Sequence, residues 1–94
     1  MNPRLERIQA LLEQGLRPVS CKVEDESAMH AGHAGAASGG GHYRAHIVAA
    51  VFAGKSRLAR HRLVYDCLDD LMQADIHALA IIALAPSEVP GGAP

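Results

Sequence analysis

A chain of 94 residues fits one domain with a modest core that needs neither metal nor disulfide staples. Apolar residues make up 49% of it but aromatics only 3%, so the core has to be built from Leu, Ile, Val and Ala. A net charge of −1 excludes a generic polyanion binder, and no stretch approaches the ~20 apolar residues of a membrane span.

Pro3 suits the start of a first helix, whose apolar face reads Leu5, Ile8, Leu11, Leu12 and Leu16; Gly15 and Pro18 are expected to end it. Val19 to Glu24 alternates apolar with polar and predicts a half-buried strand running into Asp25 and Glu26. Ser27 to His42 follows, rich in Gly and Ala, without apolar periodicity, and holding His30, His33 and His42. Sixteen residues exceed what a hairpin needs, and a loop of that length is commonly functional or disordered. A second strand is predicted from Tyr43 to Phe52, with Ala45, Ile47, Ala49 and Val51 on one side and Arg44 and His46 on the other.

Gly54 then suits a tight exit and Ser56 an N-cap for a central helix running to Met72. Leu58, His61, Tyr65, Leu68 and Met72 recur at steps of three and four, with Val64 and Leu71 widening the stripe. A last strand, His77 to Leu84, is apolar on both faces and is expected inside the sheet or covered on both sides. Strand, helix and strand in succession place it parallel to the second strand. The order helix, strand, strand, helix, strand predicts an α+β domain over residues 1–86, with helices on one face of a mixed three-stranded sheet. Residues 87–94 read as a disordered tail.

Charge is distributed unevenly. From Ser27 to Tyr65 there are five basic residues, Arg44, Lys55, Arg57, Arg60 and Arg62, and no Asp or Glu. Four of these crowd the N-terminal half of the central helix, while Asp66, Asp69 and Asp70 follow, opposite to what the helix dipole prefers. An anionic partner is one reason to keep such a pattern, and an ordinary solvated face is another. Cys21 and Cys67 form no metal-spacing motif and read as small buried hydrophobes. Charged residues in the first helix argue against a signal peptide, and a reducing cytoplasm is the expected location.

Several segments together resemble the BolA family: Asp25-Glu26-Ser27, the His-bearing loop, His42-Tyr43-Arg44, Phe52-Ala53-Gly54-Lys55-Ser56, Arg60-His61-Arg62 and His77-Ala78-Leu79-Ala80-Ile81. The resemblance covers roughly residues 5–86 and implies a fold like the class II KH domain. It also implies a role beside monothiol glutaredoxins, with a [2Fe-2S] cluster bridging the two proteins. In that arrangement the glutaredoxin cysteine and a glutathione thiol hold one iron, and BolA side chains hold the other. One BolA ligand maps onto His77; the second is His30, with His33 the alternative. Neutral imidazole suits iron, and two histidines in place of two thiolates raise a [2Fe-2S] potential, as in Rieske centres. His61 reads first as a structural histidine and second as a minor ligand candidate.

Two functions follow as expectations. The first is a non-enzymatic iron–sulfur accessory protein, with no cluster in the isolated chain and a monomer or weak homodimer when alone. The second is a KH-like DNA-binding regulator that sets Lys55, Arg57, Arg60 and Arg62 against phosphates. RNA clamping is disfavoured, since Ala53-Gly54-Lys55-Ser56 supplies one glycine where a GxxG loop needs two. The same basic patch also suits docking of the glutaredoxin. No catalytic triad, Walker motif or dinucleotide-binding pattern is present in the sequence.

Overall fold

The computed structural model describes residues 3–26, 41–74 and 76–90, with the side chains of Asp70, Gln73, Ala74 and His77 outside that description. Helix α1 spans Pro3–Leu16, strand β1 Ser20–Asp25 and strand β2 Gly41–Val48. Helix α2 spans Arg57–Cys67, a short helix α3 Asp69–Ala74, and strand β3 Ile76–Leu84. The strands form one mixed sheet in the order β1-β2-β3, with β1 antiparallel and β3 parallel to β2. The expected α+β class and strand directions are thus observed.

The core lies between the helices and one face of the sheet. Ile8, Leu12 and Leu16 of α1 and Val64 and Leu68 from the α2 side pack over Tyr43, Ala45, Ile47 and Ile81. Gly15 lies where α1 meets α2, and a Cβ there would run into Cys67 Sγ. Gly15 does not end α1: Arg17 does, with a positive φ of 47° and its N–H donating to Glu13 O at 3.1 Å. The other face of the sheet carries Lys22, Glu24, Arg44 and His46 exposed, as alternation predicts.

Further expectations need correction. The central helix breaks at Leu68, which has φ −110° and ψ 14° and donates to Tyr65 O, three residues back. That tightened turn ends α2 and starts α3. The buried stripe is narrower than expected: Val64, Leu68 and Leu71 are buried as the spacing predicts, but Leu58 and Tyr65 are 62% and 40% exposed. On the same side of the helix as Val64 and Leu68, the Arg60 guanidinium reaches Ala83 O. β2 ends at Val48, and Ala50–Phe52 form a 3-10 turn that buries Phe52 and leaves Val51 exposed.

β3, expected inside the sheet or covered on both sides, is an edge strand. Its second apolar face carries the small residues Ala78 and Ala80, both exposed. The tail expected from residue 87 is ordered further than that, because Pro86–Glu88 forms a 3-10 turn tied back to the helix by Glu88. Residues 91–94, the rest of the predicted tail, lie outside the described residues.

Candidate functional site

Two places on β3 gather the residues of interest, one at each end. At its start, the stems of the 27–40 connection meet the strand. Glu26 donates its N–H to His42 O at 2.7 Å, and its carboxylate accepts from Arg44 Nε at 3.0 Å. One acidic residue thereby joins β1 to the first residues of β2. The connection re-enters at Gly41, which is buried and pairs with Ile76. A Cβ at position 41 would strike the buried Tyr43 ring, so the close approach requires glycine.

The next register pair is His42 with Ala78, so β3 carries one extra residue there, His77. Two residues thus oppose one step of β2, the signature of a bulge. The structure therefore brings the backbone of His77 beside the point where the His-bearing connection returns. The His77 side chain, and His30 and His33 altogether, lie outside the described residues. His42, which the sequence places in the connection, stands in β2, half-buried, with its Nε2 atom buried. The alternating signal that extends Tyr43–Val48 one residue back would have found it.

Cysteine offers little here. Burial and the nearby Glu13 carboxylate push the Cys21 thiol up to about 11. Burial and Asp66 also raise Cys67. Both remain protonated at neutral pH and are poor candidates for thiolate ligands. Among the described residues no group of three or more His, Cys, Asp or Glu converges as a metal site.

The finish of β3 faces the start of α2. Ser56 caps that helix, its hydroxyl accepting from Ala59 N–H at 3.1 Å, and Gly54 makes the preceding turn with φ 73°. A cleft of about 480 Å³ opens between them, lined by Lys55, Arg57, Arg60, His61, the Ile81–Leu84 stretch and Glu88. Arg60 is held there on four sides. Its Nε donates to Lys55 O at 3.0 Å and its Nη1 to Ala83 O at 3.0 Å. Nη1 and Nη2 also grip Glu88 at 2.6 and 2.9 Å.

Glu88 Oε1 accepts from Ala85 N–H as well, at 2.8 Å. The Arg60 fork and that amide bring the Glu88 carboxyl down to about 2. Lys55, Arg57 and Arg62 are exposed and make no ion pair among the described residues; Arg62 stands outside the cleft. His61 is half-buried on the cleft wall. Sequence reading missed Glu88, although Pro86 followed two residues later by an acid is a turn-start signal.

No helix among the described residues is long and apolar enough to cross a membrane. The chain matches the family model of the BolA-like protein over residues 12–88. It is 46% identical over 88 residues to SufE-like protein 1, chloroplastic/mitochondrial, of Arabidopsis thaliana, covering 88% of this chain and 24% of that protein. It therefore spans about a quarter of that relative's length. The DNA-binding transcriptional regulator BolA of Escherichia coli is 37% identical over 76 residues, covering 81% of this chain and 70% of the relative. The solved BolA domain of SufE1 from Arabidopsis thaliana superposes with a TM-score of 0.83 at 44% identity, covering 95% of this chain and 99% of that one. The chain belongs to the BolA-like protein family.

Proposed function

We propose that this chain is a non-enzymatic accessory protein that holds one side of a [2Fe-2S] cluster shared with a monothiol glutaredoxin and its glutathione. His77 is one ligand; His30 is the other, with His33 its substitute from the same connection. The cluster is cargo, absent from the isolated protein. The observation that supports this reading most is the bulge at His77, set against the return of the His-bearing connection at Gly41. The raised cysteine thiols support imidazole over thiolate on this side of the cluster. Two free cysteines fit a reducing compartment. We read that compartment as the cytoplasm, although SufE-like protein 1 carries chloroplast and mitochondrion in its name. The isolated chain is read as a monomer or weak homodimer.

The test is reconstitution. The protein is mixed with a monothiol glutaredoxin, glutathione, iron and sulfide, and the visible spectrum is recorded beside that of the glutaredoxin alone. A changed spectrum in a heteromeric complex is the expected result. An unchanged glutaredoxin spectrum with no complex would exclude the reading.

DNA binding is a second reading, favoured by the exposed Lys55, Arg57 and Arg62 and by the name of the Escherichia coli relative. Arg60 contributes less to it than its place in the sequence suggests, because its fork is already on Glu88. Absence of measurable duplex binding near physiological salt would remove this reading.

A further inference from the structure

The cleft at the finish of β3 already holds a carboxylate, and it is the chain's own. Arg60 is 12% exposed and is oriented by two backbone carbonyls, Lys55 O and Ala83 O, as well as by Glu88. Glu88 is 42% exposed and comes from a short turn beyond the last strand. If Glu88 moves away, the carbonyls still aim the guanidinium into the cleft. Lys55 and Arg57 stand at the same cleft, exposed, and His61 lines its wall. One carboxylate against Lys55, Arg57 and Arg60 leaves the cleft with surplus positive charge.

The floor adds a second feature. Leu84 O accepts from Ala49 N–H, on the β2 side. Backbone groups alternate along a strand, so those of Ile81 and Ala83 face the other way. The Arg60 bond to Ala83 O agrees with that direction. An outward-facing strand edge beside apolar Ile81 and Ile82 suits the backbone of an extended peptide, which can add to the sheet there.

The geometry points to this cleft as a docking groove for an extended acidic peptide of a partner protein, with Glu88 a built-in competitor that the partner's carboxylate displaces from Arg60. The proposal goes beyond the cluster reading and does not depend on it. A peptide is favoured over a nucleic acid because the group now seated on Arg60 is a carboxylate held as a planar bidentate pair. The floor is a strand edge, and no Phe, Tyr or Trp lines the cleft among the described residues to stack a base.

The test uses a fluorescently labelled peptide of alternating Glu and Val, a Lys and Val counterpart of equal length, and a single-stranded oligonucleotide, each titrated into the full chain. Anisotropy gives affinity and amide shifts locate the contact. The acidic peptide is expected to bind, to shift the amides of Ile81 and Ala83, and to bind about fivefold tighter to Glu88→Gln, since a half-exposed ion pair is the competitor removed. The double variant Lys55→Glu and Arg57→Glu, changed at exposed positions, should lose this binding while keeping its thermal melt. Equal affinity for the two peptides, unchanged or weaker binding to Glu88→Gln, or retained binding by the double variant would overturn the proposal. So would shifts of those amides by the oligonucleotide and not by the acidic peptide.

Discussion

The two ends of β3 are built on opposite principles. His77 and Ala83 are six residues apart on one strand, roughly 20 Å at the rise of a β-strand. At the His77 end the sheet is interrupted: the strand bulges, the partner strand begins on a glycine, and a His-bearing connection joins it. At the Ala83 end the central cation is already engaged, with Arg60 tied to two carbonyls and one carboxylate. One end shifts register beside the returning connection. The other holds a stand-in of its own. The difference teaches that a cluster of basic residues in a sequence is not a cluster of available charges, because one partner carboxylate 28 residues away can engage the central one.

The largest break in this comparison comes from the support of the cleft end. Phe52 is fully buried in the turn that delivers the chain from β2 to α2. Phe52→Ala should cost about 3–5 kcal/mol, a large share of the stability of a domain this size, in urea denaturation. At the other end, Gly41→Ala forces a methyl group against the Tyr43 ring and should cost about 1–3 kcal/mol by the same measurement. A neutral Gly41→Ala would show that the Gly41 backbone sits less tightly against the Tyr43 ring than described.

Much of the frame was legible locally. Strand alternation placed Arg44 and His46 on the open face, the Leu and Ile spacing found the α1 core face, and Ser56 was the cap it promised to be. The failures share a physical cause, which is that they depend on contacts distant in sequence. Nothing near Leu58 or Tyr65 says that they stay exposed while Val64 and Leu68 beside them are buried against the sheet. Apolar alternation cannot tell an interior strand from an edge strand whose open face is Ala78 and Ala80. Of the site, His77 came from the resemblance to a family. What the sequence could not show was the bulge that sets His77 beside the returning connection.

Smaller effects sharpen the contrast. Glu88→Gln should lower the melting temperature modestly at neutral pH, because the pair it breaks is partly exposed. The Glu88 carboxyl falls from its ordinary 4.5 to about 2 in the folded state. Its stabilising contribution is therefore complete above about 4.5 and is lost as pH falls through about 2, so the melts of wild type and Glu88→Gln should converge at the acidic limit. The smallest effect concerns the second reading. If duplex DNA binds, Arg57→Ala should flatten the dependence of log affinity on log salt by about one unit. Arg60→Ala should change that slope less, since its charge is already paired.

The most direct test of the cluster reading is the visible spectrum of the glutaredoxin complex made with histidine variants, read beside their thermal melts. His77→Ala should abolish the His-ligated spectrum with little change in the melt, and a His30→Ala/His33→Ala double variant should match it. His30→Ala alone should weaken the complex in part. His61→Ala, on the cleft wall at the far end of β3, should leave the spectrum in place. A wild-type spectrum from His77→Ala, together with its loss from an undestabilised His61→Ala, would contradict the assignment and move the ligand site to the other end of the strand.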